Sequence, residues 1–167
     1  MTKPSLPDAE ELLAALTAQM RPHVTAQTGL VGIVTGGAWL AERLHRELKL
    51  EVPHGSLDVS FYRDDFQHKG LKHQVTPSAI PFEVEGRDLI LVDDVLYTGR
   101  TIRAAMNELF DYGRPASIRL AALVDRGGRE LPIAAQFVGT ILTLPAHDNI
   151  ELKRDAQGRL SLALQQP

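Results

Sequence analysis

Apolar positions recur at helical spacing in some stretches of the chain and gather into short unbroken runs in others. Leu12, Leu13 and Leu16 form an apolar stripe behind Asp8, Ala9, Glu10 and Glu11. Asp8 carries the short acceptor that caps exposed amides, so a helix is predicted to start there and to end or kink at Arg21-Pro22. Leu30 to Val34 (LVGIV) is a short apolar run followed by Thr35, Gly36 and Gly37, after which Leu40, Leu44 and Leu48 recur among Glu42, Arg43, Arg46 and Glu47. That succession predicts strand, tight loop and amphipathic helix.

A second strand is expected over Leu57 to Tyr62. The polar, aperiodic stretch from Arg63 to Pro81, with Gly70, is expected to be a long surface loop with some hairpin character. Leu89 to Val92 is the clearest buried strand. Ile102, Ala105, Met106 and Leu109 mark a helix ending near Gly113 and Pro115, and Leu120 to Val124 supplies the next strand. Strands alternating with helices imply an α/β fold, a mainly parallel twisted sheet flanked by helices, with ligands at the carboxyl ends of the strands. Beyond Pro132 the pattern changes. Ile150 to Arg154 and Leu160 to Leu164 alternate at period two around Asp155 to Gly158, which predicts a C-terminal β-hairpin. No repeat or linker divides the chain, and residues 1–167 are expected to form a single domain.

Composition narrows the chemistry. The chain has no Cys, which excludes disulfides, thiolate metal sites and cysteine nucleophiles. A net charge of -3 does not describe a generally basic nucleic-acid binder, so a polyanion site would have to be local. No apolar stretch approaches the roughly 20 residues that span a bilayer, and the N-terminus lacks the apolar core of a secretory signal. The expectation is a cytoplasmic protein with no membrane partner.

The segment from Leu89 to Thr101 (LILVDDVLYTGRT) carries the candidate chemistry. Asp93 and Asp94 are expected at a solvent-accessible strand end, where paired carboxylates accept from vicinal ribose hydroxyls and orient magnesium through water. Val95 to Thr101 is expected to follow as a turn into a helix, with Gly99 relaxing the backbone. Its amides and the hydroxyls of Thr98 and Thr101 would then surround a phosphate at the helix N-terminus. The pattern is a sugar-phosphate cradle; neither a Walker A loop nor a GxGxxG site is present.

This segment resembles the phosphoribosyl pyrophosphate (PRPP) motif of type I phosphoribosyltransferases. LVGIVTGGAWLAERL from Leu30, LDVSFYRDD from Leu57, VDDVLYTGRT from Val92 and LVDRGGRELPI from Leu123 are similar, in the same order, to blocks of the pyrimidine operon attenuation protein / uracil phosphoribosyltransferase family. The resemblance implies the type I phosphoribosyltransferase fold, Mg2+ with PRPP as donor, uracil as acceptor, UMP and pyrophosphate as products, and a homodimer or higher homo-oligomer. It places ribose and magnesium contacts on Asp93 and Asp94, 5-phosphate contacts on the loop Val95, Leu96, Tyr97, Thr98, Gly99, Arg100 and Thr101, and pyrophosphate contacts on Thr35, Gly36 and Gly37. It puts Arg63, with Asp64, among the catalytic groups at the base of a mobile loop that closes over pyrophosphate, and Val124, Asp125 and Arg126 near the nucleobase.

Purine-salvage members of the superfamily often carry an acid where this chain has Tyr97, so uracil is favoured over hypoxanthine or guanine. One departure stands out: many family members have a Lys or Arg in the loop that here reads Val34-Thr35-Gly36-Gly37, so a charge-assisted contact is missing. Arg43 and Arg46 are alternatives, or ordinary helix charges. The family also implies pyrimidine-operon leader RNA as a partner. In its attenuators Arg and His follow a Leu-Thr pair on the first helix, whereas Leu16-Thr17 here precedes Ala18-Gln19-Met20. Arg21 and His23 are partial substitutes there, and Arg126 and Arg129 are expected to remain available to RNA. An RNA-binding attenuator with little catalysis, a transferase for another base, and an inactive PRPP sensor stand as alternative readings.

Overall fold

A computed structural model describes residues 5–60 and 78–165. Its first helix, α1 (Ala9–Met20), starts where the pattern places it: the Asp8 side chain accepts from the Glu10 amide, and Leu12, Leu13 and Leu16 turn inward. A 3-10 turn over Arg21–His23 ends it. β1 (Gly29–Ile33), α2 (Gly36–Leu48) and β2 (Gly55–Leu57) follow, then β3 (Asp88–Leu96), α3 (Arg100–Phe110), β4 (Ser117–Asp125) and β5 (Phe137–Ile141). β6 (Asn149–Arg154) and β7 (Leu160–Gln165) form the C-terminal hairpin.

The five-stranded sheet has the order β2-β1-β3-β4-β5, and every pairing in it is parallel. Its central strands are apolar on both faces because both faces are covered. Within β3, Ile90 and Val92 join the core under α1, α2 and the hairpin, while Leu89 and Leu91 join the core with Ile102, Ala105 and Leu109 of α3. The hairpin is held from α1: Ile150, Leu152 and Leu160 enter the first core, and the Leu160 amide donates to Glu10 at 3.1 Å.

Three expectations change. Of the strand predicted over Leu57 to Tyr62, the described part is β2 at Gly55–Leu57, and Phe61 and Tyr62 lie outside the described residues. Asp58 accepts the Ser60 amide at 3.0 Å, a side-chain turn that withdraws the chain from the sheet after Leu57. Phe61 to Thr76, with Arg63, Asp64 and the expected closing loop, lies outside the described residues. The segment beyond Pro132 also contributes a strand that periodicity did not reveal. β5 pairs with β4, and its far side is covered by Gln19, whose side-chain amide donates to the Val138 carbonyl at 2.8 Å and accepts from the Val138 amide at 3.1 Å. One amide side chain thus stands in for a neighbouring strand at Val138.

The third change concerns β3. It runs four residues past Val92, because pairing with β4 continues to Leu96↔Asp125. Val95 and Leu96, expected to open the turn, are strand residues, so Asp93 and Asp94 lie inside the strand and not at its end.

Candidate phosphoribosyl site

Two helices begin at the carboxyl edge of the sheet, on either side of the acidic pair. After β1 the Val34 amide donates to the Leu57 carbonyl at 2.9 Å, and the Val34–Thr35 peptide is cis. Thr35 makes no side-chain cap, so α2 opens on the amides of Gly36 and Gly37. Both glycines are required by closeness. A Cβ on Gly36 would strike the Asp94 carboxylate, and one on Gly37 the Val92 carbonyl. The first turn of α2 therefore lies directly on β3 at the acids.

Asp93 and Asp94 are 2% and 8% exposed, which overturns the expectation of a solvent-accessible pair. Extension of β3 puts them in the paired part of the sheet, and α2 covers Asp94. One oxygen of each serves the backbone: Asp93 Oδ1 accepts from the Asp94 amide, and Asp94 Oδ1 from the Val95 amide, both at 2.9 Å.

The turn itself is short, from Tyr97 to Gly99. Thr98 is buried, its hydroxyl accepts the Arg100 amide at 3.2 Å, and its carbonyl accepts from Glu130 and Leu131. Gly99 turns the chain at φ +95 and offers no side-chain cap, so beyond the Arg100 amide held by Thr98 the leading amides of α3, like those of α2, are suited to an anion. Thr101 is half-buried in the first turn. Arg100 is exposed and donates to Glu130 at 3.0 Å. Leu96 belongs to the core under α3, and Val95, on the other face, packs against the core under α1, α2 and the hairpin.

In the presumptive base region, the Val124 side chain is fully buried in the core. Asp125 accepts from Arg129 at 2.6 Å and from the Gly127 amide at 2.9 Å. Burial alone would raise the Asp125 pKa, but the Arg129 and Gly127 hydrogen bonds together with the Arg129 charge outweigh it and hold the carboxyl below its ordinary value. Arg126 is 6% exposed and lies 4.1 Å over the Tyr97 ring. Its Nη1 donates to the Asp148 carbonyl at 2.8 Å, and Nη2 to the Pro145 carbonyl at 3.1 Å. Arg129 donates through Nε to the Ile133 carbonyl and through Nη1 to the Tyr97 carbonyl, at 2.7 and 2.8 Å. The expectation that Arg126 and Arg129 remain available to a polyanion is not met, since both Nη atoms of Arg126 donate to carbonyls inside the protein and Arg129 donates through Nε and both Nη atoms. No local signal ties Arg126 to Pro145 and Asp148, because the partners lie 19 and 22 residues away.

Arg43 does not stand in for the missing loop cation either. It is paired to Glu10 at 2.8 Å, and this hydrogen bond, opposed by burial and helped by the Leu160 amide, lowers the Glu10 pKa. Arg46 is exposed beside Glu42.

The donors suit magnesium carried on a phosphate. Among the described residues no three His, Cys, Asp or Glu side chains converge on a metal-sized site, whereas Asp93 and Asp94 supply hard carboxylate oxygens near the carboxyl end of β3. Magnesium keeps several waters and needs few protein ligands when phosphates supply the rest.

A parallel five-stranded sheet with helices on both faces and an acidic pair between two helix N-termini is the arrangement of a type I phosphoribosyltransferase. The profile of the phosphoribosyl transferase domain matches residues 5–151. The chain is 50% identical over 162 residues to the Bifunctional protein PyrR of Pseudomonas fluorescens, covering 95% of this chain and 96% of that protein. It is 55% identical over 153 residues to the protein of the same name from Pseudomonas aeruginosa, covering 89% of each. Among solved structures it superposes on a hypoxanthine-guanine phosphoribosyltransferase from Bacillus anthracis with TM-score 0.66, 20% identity and 85% of each chain covered. It likewise superposes on the enzyme from Leishmania tarentolae in complex with GMP, with TM-score 0.63, 19% identity and coverage of 90% and 85%. The chain belongs to the phosphoribosyltransferase family and, within it, to the bifunctional PyrR proteins.

Among the described residues, no helix is long and apolar enough to cross a membrane.

Proposed function

We propose that the protein transfers the 5-phosphoribosyl group of PRPP to N1 of uracil, giving UMP and pyrophosphate, with the whole chain acting as one domain. The observation that carries this reading is the placement of Asp94 against Gly36, which brings the acidic pair and the opening of α2 together, three residues before the turn that opens α3.

In this reading the amides of Thr35, Gly36 and Gly37 receive the pyrophosphate, and the segment from Tyr97 to Thr101 receives the 5-phosphate. Asp93 and Asp94 accept from the ribose hydroxyls between them. The bond from ribose C1 to the pyrophosphate oxygen breaks, the bond to uracil N1 forms, and the N1 proton passes to the released pyrophosphate or to solvent. The sugar gains oxocarbenium character, so the two carboxylates stand where positive charge develops and the helix amides where negative charge does. Magnesium, when bound, offsets charge on the leaving pyrophosphate. No protein nucleophile takes part. Tyr97 offers the base an aromatic edge without a carboxylate, which suits a pyrimidine better than a purine imidazole.

Mass-spectrometric analysis of products from PRPP and a panel of bases tests the reading. UMP is the expected product, with purines poor acceptors; hypoxanthine or guanine used at rates comparable with uracil would overturn it.

The relatives' printed name calls them bifunctional, and we propose that the second activity is regulation of the pyrimidine operon through leader RNA in response to uridine nucleotides, in a homodimer or higher oligomer. Binding to leader RNA across a salt titration, with and without UMP, tests it: a steep salt dependence and strengthening by UMP are expected.

A further inference from the structure

We infer that Arg126 is a positioning residue for the acceptor base, acting through Tyr97. The inference rests on the proposed transfer to uracil and concerns how the base is held. Three residues of one loop grip Tyr97. The Arg126 guanidinium lies over the ring face at 4.1 Å, Arg129 holds the Tyr97 carbonyl at 2.8 Å, and Gly128 comes so near the ring that a Cβ there would overlap Cε1. Gly128 also has φ +77, so a side chain is disfavoured twice. The ring is thereby fixed beside the phosphate turn, one residue before Thr98.

Arg126 is itself oriented from a distant segment. Its Nη atoms donate to the Asp148 and Pro145 carbonyls, with Asn149 Oδ1 at 3.5 Å, so the connection between β5 and β6 sets the angle of the cation over the ring. Its Nε–H is buried with no partner among the described residues. A buried arginine kept only to tie two loops together has no reason to carry that cost. A flat cation laid on an aromatic face, with its remaining edge unspent, is instead suited to holding a ring in one orientation where a planar base must dock. Lys cannot reproduce the planar stack or the forked contacts, although it keeps the charge.

Steady-state kinetics of Arg126→Met, Arg126→Lys and Tyr97→Leu test this, with uracil and PRPP varied separately. For all three variants KM for uracil should rise about tenfold, equivalent to about 1.4 kcal/mol, while for the two Arg126 variants KM for PRPP stays within about threefold, the weaker end of cation–π and stacking effects. In the Tyr97→Leu background, Arg126→Met should add little, because both act through one ring. Equal rises in both KM values, an additive double variant, or Arg126→Lys with wild-type KM for uracil would each overturn the inference. Should Arg126→Met fail to fold, Arg126→Lys and Tyr97→Leu carry the same comparison with charge or volume retained. A wild-type protein that forms no UMP would instead overturn the proposed transfer, whatever the variants do.

Discussion

The arginines of the loop after β4 and those of the groove between α2 and the hairpin look alike in the sequence and behave differently in the fold. Arg126 is buried, Arg129 is about three-quarters so, and both are joined to carbonyls or to Asp125 at 2.6 to 3.1 Å, apart from the longer Asn149 contact and the unspent Nε. Arg46, Arg154 and Arg159 have side chains 67%, 40% and 65% exposed, and their pairs with Glu42 and Asp8 span 3.5 to 3.8 Å. The first group shapes the site, because a desolvated cation with directional partners fixes geometry. The second contributes a screened local field that opposing carboxylates largely offset. Charge counted along the chain therefore says little about which cations a polyanion can reach.

The largest effect that would sharpen this contrast lies at Asp93 and Asp94. Asp93→Asn and Asp94→Asn should each lower kcat/KM for PRPP about ten- to a hundredfold, the value of about 1.5 to 3 kcal/mol for a charged hydrogen bond. Because both residues are buried, a drop in melting temperature should accompany the loss. Wild-type kinetics in both variants would remove the acids from the site. Gly36→Ala should cost about 1 to 3 kcal/mol in a urea melt through overpacking against Asp94, and should also weaken PRPP binding. An unchanged melt would mean that α2 does not press on β3 as described.

Asp125 gives the contrast a pH dependence. Its pKa is depressed in the folded protein, so its pair with Arg129 stabilises above the ordinary carboxylate value of about 3.9 and the benefit is lost as pH falls through the folded value. Asp125→Asn should therefore be less stable than wild type by about 1 kcal/mol at pH 7, with the two melts converging below about pH 4. A gap that persists in acid would show that the carboxylate is not what matters. The smallest effect belongs to the groove: Arg46→Ala should change stability by less than about 0.5 kcal/mol and leave uracil and PRPP kinetics untouched. Arg129→Ala that abolished leader-RNA binding while leaving the kinetics for uracil intact would reverse the comparison altogether.

Local pattern alone determined α1 with its Asp8 cap, the tight passage from β1 into α2, the buried strand before the acidic pair, α3, β4 and the hairpin. Each depends on residues a few positions apart: a capping side chain, a repeat of three or four, an alternation of two. The order of Asp93, Asp94, Thr98, Gly99 and Thr101 was likewise enough to mark the candidate cradle. Tertiary structure decided what depends on partners far along the chain. β5 exists because β4 offers it a ladder and Gln19 covers its far side at Val138, across 119 residues. β3 continues through the acids because β4 pairs with it as far as Asp125, and burial follows from that pairing and from α2 lying on Asp94. Arg126 reads as one more surface cation until the chain brings Tyr97 beneath it and the carbonyls of Pro145 and Asp148 around it, since hydrogen bonding and desolvation act through space and leave no period in the sequence.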